Sequence, residues 1–285
     1  MSASRIGQWL WCIFTPFPAL IVGVLVMRQH GVPSSRWGLN LIGGVLSAAI
    51  CAVFLARSRT EMSKTAANIS ACLAGGALAA TFAMTGSMGV HRWIQVGPLT
   101  VYAGAVCLPV LIVALGVFDA FGGKLRWAPL FLAISVALLL LLQPDAAQAT
   151  AFAGAAFTLL IANDQRARAA WAAAVVIALL AAWTWTRLDP LPPVPYVEGI
   201  IGLARQSGPA WLVASLAALA VLPLPFFVSP SSCQSAVARA LGVYLCIYIL
   251  ASLFGHFPVP LVGFGLAPIV GYFVALANLR LRDSG

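Results

Sequence analysis

The stretch WAPLFLAISVALLLLLQPDAAQATAFAGAAFTLLIA (residues 127–162) decides the fold class of this chain. It contains one charged residue, Asp145, which follows Gln143 and Pro144 between two apolar runs. An apolar run of this kind crosses a bilayer as a helix, because a helix satisfies its own backbone hydrogen bonds in lipid. Since proline ends the first helix, the stretch predicts two membrane spans joined by a tight hairpin.

The rest of the chain has a similar composition. Of its 285 residues, 62% are hydrophobic and 8% are charged, and the mean hydropathy is +0.99. A soluble globular protein carries about 25% charged residues, so the composition excludes a soluble enzyme, a disordered tail and a fibre. The alternating strand patterns of an outer-membrane barrel are lacking. We therefore predict an all-α, polytopic membrane protein.

Apolar windows bounded by charge, proline or glycine predict about ten membrane spans. The short loops between them leave no room for a soluble domain, so we expect a single transmembrane domain over residues 1–285. The first window is too long for a signal-peptide core and has no cleavage site after it, which favours a retained span. The predicted spans are 8–27, 37–56, 66–84, 98–118, 127–142, 146–162, 169–186, 209–228, 236–254 and 260–279.

The distribution of basic residues predicts that both termini are cytoplasmic. The more basic side of a membrane protein faces the cytoplasm, and the side of the N-terminus holds the larger set of bases. The net charge of +9 therefore indicates orientation and gives no sign of nucleic-acid binding. On the N-terminal side lie Arg5, Arg57, Arg59, Lys64, Lys124, Arg126, Arg166, Arg168, Arg239, Arg280 and Arg282, and on the other side Arg28, Arg36, Arg92, Arg187 and Arg205.

The familiar short motifs of enzymes and metal sites do not occur in this sequence. There is no P-loop, no HExxH and no nucleophile elbow. The six cysteines form no CxxC pair, and five lie inside apolar runs, where cysteine behaves as a small hydrophobic residue. Neither a disulfide framework nor a metal site is predicted.

The longest predicted loop, residues 187–208 on the outer face, is the one that we expect to be functional. Its proline-rich start is stiff, and its apolar part, residues 196–204, predicts a short helix that dips into the membrane. Glu198 is either a functional carboxylate whose raised pKa suits a general base, or a cap of that helix. Asp189 is either a second candidate or a turn former. Arg205, two turns further on the same helix face, would flank one bound ligand.

Three further segments contain candidate site residues. Arg92 and Trp93, in HRWIQVGP before the fourth span, either hold a phosphate group or anchor the span at the interface. Asp145 is either a site residue or a turn former. Pro258 and Pro260 keep the start of the last span non-helical, and such a backbone at membrane depth must be buried in protein or face a cavity.

Four segments, in order, resemble the SEDS family of peptidoglycan polymerases, the RodA and FtsW type. HRWIQVGPLTV (91–101) resembles the family's RRWI-LGPF-FQPSE element, and LLLQPDAAQATAF (140–152) resembles LLQPDLGTALV. LPPVPYVEGIIGLARQSGPAW (191–211) is similar to LPE-HTDFIFAVI-EELG-IG, and FPVPLVGFGLAPIVGYFVALANLRL (257–281) to TGVPLPFVSYGGSSLL. Ten spans with both termini inside is also that family's architecture.

The chain departs from the family pattern in several places, so the resemblance is to a divergent, shortened member. The family's Gln-Pro-Ser-Glu falls on residues 102–105, which read Tyr-Ala-Gly-Ala. The Ser-Tyr pair of the last motif becomes Gly263 and Phe264. The family's essential Asp in the outer loop aligns with Val197, one position before Glu198, and that loop lacks its glycine-rich half.

The resemblance implies glycosyl transfer at the outer face of the bacterial inner membrane. A sugar hydroxyl of one lipid II molecule attacks the anomeric carbon of another, and undecaprenyl pyrophosphate leaves. On this interpretation Glu198 is the base and Asp189 the second candidate, while Arg92, Arg205 and a divalent cation neutralise the pyrophosphate. A class B penicillin-binding protein is the implied partner. The other implied substrate-binding residues are Trp93, Asp145, Pro258 and Pro260.

Two other functions stay open at the level of the sequence. A non-catalytic SEDS-like scaffold, or a protein that binds a lipid-linked precursor, would bind without turnover and would not depend on Glu198 or Asp189. A small permease or lipid transporter would move its substrate across the membrane. Transporters typically carry charged residues within their spans, whereas nearly all charges here lie in loops.

Overall fold

The computed structural model of the chain describes residues 3–57, 63–97, 99–120, 127–161, 167–187, 189–228 and 235–279. These residues form α-helices, a short 3₁₀ turn (Thr81–Ala83) and an antiparallel hairpin of strands β1 (Trp93–Val96) and β2 (Leu99–Tyr102). The helices are α1 (Ala3–Phe14), α2 (Phe17–Gln29), α3 (Ser34–Arg57), α4 (Lys64–Ala80), α5 (Ala103–Ala120), α6 (Ala128–Leu142), α7 (Ala146–Leu160), α8 (Ala167–Thr184), α9 (Ile200–Ser207), α10 (Pro209–Val221), α11 (Leu224–Val228), α12 (Ser235–Phe254) and α13 (Leu266–Ala277).

The apolar helices correspond to the ten predicted spans. Within the described part of the chain, six segments are long and apolar enough to cross a membrane, and four shorter apolar helices fall at the remaining predicted spans. The predicted all-α, polytopic fold class is therefore confirmed. The long segments are Trp9–Gln29, Ser34–Arg57, Lys64–Ala83, Ala167–Thr184, Pro209–Val228 and Ala236–Phe254, and the shorter ones are Ala103–Phe118, Ala128–Leu142, Ala146–Leu160 and Leu266–Ala277.

The cytoplasmic location of the two termini stays a prediction, because it depends on charge and not on the arrangement of the helices. Part of that charge count lies outside the described residues. These bases are Arg59, Lys124, Arg126, Arg166, Arg280 and Arg282, and Cys233 also lies outside them.

Three helices begin later than the sequence predicted. Helix α5 begins at Ala103 and not at position 98, because the preceding residues form β2. Helix α13 begins at Leu266 and not at position 260, since the prolines before it donate no backbone hydrogen bond. Helix α9 begins at Ile200, so Glu198 precedes the helix and the predicted shared helix face of Glu198 and Arg205 is wrong.

Small residues allow the helices of the bundle to pack closely. Helix α7 packs against α5, α6, α8 and α12, and Gly154 lies against Ile247 and Val243 of α12. Gly271 of α13 lies against the backbone of Ala105 in α5. Van der Waals packing between small residues is the main source of helix association in a membrane, where lipid removes the hydrophobic driving force.

Asn40 of α3 holds the irregular segment that precedes α13. Its side chain is fully buried. Its Nδ2 donates to the carbonyl of Gly263 at 2.9 Å, and its Oδ1 accepts from the amide of Gly265 at 3.1 Å. The amide of Phe264 donates to the carbonyl of Tyr196 at 2.9 Å, so the same segment fixes the outer loop. These bonds satisfy backbone N–H and C=O groups that have no hydrogen-bond partner within a helix.

Candidate functional site

A cavity of about 450 Å³ lies between the β-hairpin, the proline-rich part of the loop 187–208 and the segment before α13. We call it the outer cavity. Five of the predicted site residues line it together: Arg92, Trp93, Asp189, Glu198 and Pro258. The remaining lining residues are Met84, Thr85, Gly86, Ser87, Val90, Gln95, Thr100, Tyr102, Leu191, Pro192, Pro193, Val194 and His256.

Arg92 lines the outer cavity and joins three segments of the chain. It is 4% exposed. Its Nη1 donates to Oδ2 of Asp189 at 2.7 Å, and its Nε donates to the carbonyl of Gln143 at 3.3 Å. Its Nη2 donates to the carbonyl of Pro144, and its guanidinium lies 5.9 Å from the ring centroid of Phe257. Arg92 therefore ties the α6–α7 hairpin, the outer loop and the segment before α13 to one another.

The charge of Arg92 is stable in this buried position. Burial by itself lowers the pKa of Arg92, but the negative charges of Asp145 and Asp189, together with the hydrogen bond to Asp189, raise the pKa by more. The net direction is upward, so Arg92 stays a cation. A buried cation with acceptors on several sides stabilises the arrangement only while all of those acceptors are present.

The two carboxylates of the outer loop are bonded to different partners. Asp189, whose side chain is 24% exposed, pairs with Arg92 through Oδ2 and accepts from the amide of Leu191 through Oδ1 at 3.1 Å. Glu198 is half-buried, and its Oε2 accepts from the amide of Val194 at 2.8 Å. That bond points back along the loop and not to α9, whose first turn has no side-chain cap. The interpretation of Glu198 as a cap of α9 is therefore wrong.

The environment of Glu198 changes its acidity in a defined direction. Burial raises the pKa of its carboxyl, and the charge of Asp189 also raises it. The hydrogen bond from Val194 and the charge of Arg92 act in the opposite direction, and the net shift is upward. A carboxylate with a raised pKa that faces a cavity is a suitable proton acceptor.

Asp145 belongs to a second group of polar side chains, all of them buried, of which Tyr102 also lines the outer cavity. It is fully buried, its Oδ2 accepts from the hydroxyl of Tyr102 at 2.6 Å, and its Oδ1 accepts from the amide of Gln148 at 3.3 Å at the start of α7. The hydroxyl of Tyr244 donates to Oε1 of Gln148 at 2.6 Å. We call Tyr102, Asp145, Gln148 and Tyr244 the buried polar network. Asp145 itself does not line the outer cavity.

Two predicted site residues lie elsewhere. Pro260 is buried and does not line the outer cavity, although it belongs to the segment that is hydrogen-bonded to the outer loop. Arg205 is exposed near the far end of α9 and does not line the outer cavity. Among the residues that the structure describes, no group of three or more His, Cys, Asp or Glu side chains is arranged to hold a metal ion.

Among the lining residues that the sequence did not predict are three that carry hydrogen-bonding side chains on the hairpin or before α13: Gln95, Thr100 and His256. Gln95 and Thr100 are opposite each other in the hairpin, where the register pairs Trp93 with Tyr102 and Gln95 with Thr100. Side chains two apart on a strand, and directly opposite across an antiparallel pair, point to the same face. The alternation of polar and apolar residues on either side of Gly97 was the signal that could have found them.

The comparisons with known proteins give the fold and no closer relationship. No protein-family model matches the sequence, and no curated protein matches it. A solved structure of a peptidoglycan synthase complex contains a chain with a TM-score of 0.73 and 16% identity, with 95% of this chain and 96% of that chain covered. The rod shape-determining protein RodA of Thermus thermophilus gives a TM-score of 0.62 at 17% identity, with 96% and 98% covered. A variant of that RodA gives 0.69 at 16% identity with the same coverage.

The chain has the RodA fold. The resemblance that four short segments suggested is therefore confirmed at the level of the fold, along almost the whole length of both chains. At 16–17% identity the similarity shows that the backbones follow the same course, but it does not show the role of any side chain. The function of the outer cavity must be argued from its own residues.

Proposed function

We propose that this chain is a SEDS-like protein of bacterial cell-wall synthesis that polymerises lipid II by glycosyl transfer in the outer cavity. The observation that carries the proposal is the grouping of one buried cation and two carboxylates in a single cavity, at the end of the bundle that the charge count places outside. The RodA fold supports it, since solved structures with that fold include a chain of a peptidoglycan synthase complex.

In the proposed reaction Glu198 is the general base. A hydroxyl of the acceptor sugar attacks the anomeric carbon of the donor, a new C–O bond forms, and the bond from that carbon to the pyrophosphate oxygen breaks. The hydroxyl proton passes to the carboxylate of Glu198, and the electron pair leaves with undecaprenyl pyrophosphate. The upward shift of the pKa of Glu198 supports this role, because a stronger base accepts the proton more readily.

Arg92 and Asp189 are assigned to the leaving group. Arg92 supplies the positive potential that a pyrophosphate requires. A divalent cation bound to the substrate would add positive charge at the same place. Nη1 of Arg92 is bonded to Asp189 at 2.7 Å, so a phosphate oxygen must share or displace this bond. Asp189 therefore sets how strongly the cavity attracts an anion. Arg205 has no role in this proposal, since it does not line the cavity.

The proposal includes a location and a partner. The ten apolar segments found among the described residues support a multi-pass protein of the bacterial inner membrane. The likeness to a chain of a peptidoglycan synthase complex supports a class B penicillin-binding protein as the partner that would crosslink the new glycan.

A second function, binding of a lipid-linked precursor without turnover, is favoured by one observation. Both carboxylates of the cavity are already bonded to protein groups, Asp189 to Arg92 and Glu198 to the amide of Val194. If the two carboxylates serve only to hold the loop in place, no base remains for the reaction, and the protein would be a binding protein or a scaffold. This function predicts that precursor binding survives the replacement of Glu198.

The test is a polymerisation assay with the purified protein, lipid II and a divalent cation, with and without a co-expressed transpeptidase. Glycan polymer from the wild-type chain that disappears in Glu198→Gln is the expected result. The matched control is Glu61→Gln, which makes the same change at a position outside the described residues. The charge count assigns that position to the cytoplasmic side, so the control should polymerise like the wild type.

Three results would overturn the assignment. Full activity in Glu198→Gln would remove Glu198 from the chemistry. No polymer under any pairing, with lipid II still bound, would establish the binding function instead. Flux of the lipid across proteoliposomes, without polymer, would point to a transporter.

A further inference from the structure

One face of the β-hairpin carries hydrogen-bonding and aromatic side chains, and the other face carries aliphatic ones. Trp93 and Gln95 of β1, with Thr100 opposite in β2, line the outer cavity together with Tyr102. The other face carries apolar side chains, among which Val96 is 61% exposed and Leu99 is 49% exposed. The register explains this division, because alternate residues of a strand point to opposite faces.

Three side chains on the cavity face of the hairpin form no hydrogen bond with the residues that the structure describes. Within the described part of the chain, no hydrogen bond of the side chains of Gln95, Thr100 or Trp93 is found, whereas Tyr102 donates to Asp145. Gln95 and Thr100 are exposed, and Trp93 is half-buried with its ring centroid 6.4 Å from that of Tyr102. The hairpin therefore presents an aromatic ring, an amide and a hydroxyl, all available to a ligand.

The charged groups of the outer cavity lie on its other walls. Asp189 and Glu198 belong to the outer loop, and Arg92 is buried beneath it against Phe257. Among the described residues of the two strands, the face toward the cavity carries no charged side chain. The cavity is thus divided into a neutral wall that combines aromatic and hydrogen-bonding groups, and a charged wall.

A neutral wall of this kind matches a saccharide. A sugar ring has a face of C–H groups that packs on an aromatic ring, and a rim of hydroxyl and acetamido groups that hydrogen-bond to amides and hydroxyls. Tryptophan offers an apolar face with one N–H donor, glutamine offers donors and an acceptor, and threonine offers a hydroxyl that does both. Pockets with mostly apolar walls and a few such groups fix both position and orientation of a ligand.

We infer that Trp93, Gln95 and Thr100 form a saccharide-binding subsite, in which the sugar of a lipid-linked precursor packs on Trp93 while its pyrophosphate faces the charged wall. This inference rests on the proposed function, since it names the part of the substrate that each wall recognises. It adds Gln95 and Thr100, to which neither the sequence motifs nor the reaction chemistry gives a role, and it assigns Trp93 to the sugar.

The experiment measures binding of three probes to the full-length protein in detergent: lipid II, undecaprenyl pyrophosphate without a sugar, and chitotriose as a soluble N-acetyl amino sugar. We expect Trp93→Ala to weaken lipid II binding by roughly tenfold or more, and Gln95→Ala and Thr100→Val by roughly three- to tenfold. Binding of undecaprenyl pyrophosphate should change by less than about twofold. Trp93→Phe, which keeps an aromatic face, should retain most of the affinity.

The control variants are Val96→Ala and Leu99→Ala on the opposite face, which should bind all three probes like the wild type. Because Trp93 packs on Tyr102, Trp93→Ala also removes a contact of the hairpin; Gln95→Ala and Thr100→Val, at exposed positions, keep the test decisive. Unchanged affinity for lipid II in these two variants would overturn the subsite. Equal affinity of the wild type for lipid II and for undecaprenyl pyrophosphate would also overturn it.

Failure of the subsite and failure of the proposed function give different results. Binding of lipid II without polymerisation, still weakened by the hairpin variants, would keep the subsite and discard the glycosyltransferase. Binding of chitotriose alone, lost in Trp93→Ala, would keep the subsite with a substrate that is not lipid-linked. Binding of none of the three probes would overturn the subsite and the proposed function together.

Discussion

The buried polar network and the outer cavity both contain carboxylates, but only one of them is closed. In the network, Asp145 is fully buried and both of its oxygens accept hydrogen bonds from the protein. In the outer cavity, Glu198 is half-buried and lines open space. A buried carboxylate in a membrane protein is therefore a candidate for catalysis only when one of its oxygens is still accessible to a ligand.

The two regions are joined through Arg92 and Tyr102. Arg92 binds Asp189 of the cavity and the carbonyls of the α6–α7 hairpin, which also carries Asp145. Tyr102 lines the cavity and donates to Asp145. The closed region therefore supports the open one. Replacement of Asp145 or of Arg92, which joins the two regions, should act on stability, and replacement of Glu198 on activity.

The largest expected effect is the loss of stability in Arg92→Met. The variant keeps the approximate volume but leaves Asp189 and two buried carbonyls without their donor. Breaking a buried ion pair costs about 3–5 kcal/mol, so we expect a marked decrease of the unfolding temperature in detergent. Arg92→Lys should recover only part of it, since an ammonium cannot donate in three fixed directions. A wild-type unfolding temperature in Arg92→Met would show that the three segments hold together without it.

A smaller effect is expected for Asp145→Asn. Asparagine has one acceptor oxygen where aspartate has two, so either the hydroxyl of Tyr102 or the amide of Gln148 loses its partner. An unsatisfied buried group costs about 1–3 kcal/mol. Thermal unfolding checks the prediction, with Tyr102→Phe as the matched variant from the other side of the bond. If the loss in the double variant equals the sum of the two single losses, the two groups do not interact.

The pH dependence of polymerisation tests the role of Glu198 in the outer cavity. Since burial raises the pKa of Glu198 and the base must be deprotonated, the rate should fall as the pH decreases through a range above that of an ordinary glutamate. The free energy of unfolding should depend on pH in the opposite sense. Because the folded protein binds this proton more tightly than the unfolded chain, the free energy of unfolding falls as the pH rises through the same range. A rate profile in which this acidic limb is missing would contradict the role of Glu198.

The smallest effect is expected for Arg205→Gln. The residue is exposed and does not line the cavity, so lipid II binding should stay within about twofold of the wild type and the unfolding temperature should not change. A loss of lipid II binding of roughly tenfold or more would show that Arg205 contributes to the ligand site.

The sequence predicted the spans well because each one is a long apolar run, and lipid allows such a run little choice of structure. The site was predicted only in part. Arg92 and Asp189 are 97 positions apart, and no local pattern links them. Strand β2 was predicted to be the start of a span and β1 to precede that span, because each strand is only four residues long. The position of Arg205 depended on where α9 begins, and boundaries are set by tertiary contacts that the sequence does not display.

The most direct test measures two quantities, the rate of lipid II polymerisation and the unfolding temperature, side by side in Glu198→Gln and Asp145→Asn. We expect Glu198→Gln to lose at least about 100-fold in rate with no decrease of the unfolding temperature, and Asp145→Asn to unfold at a lower temperature than the wild type. Wild-type polymerisation in Glu198→Gln would contradict the claim that the outer cavity is where this protein works on its substrate, and so would the absence of polymer from the wild-type chain with any partner.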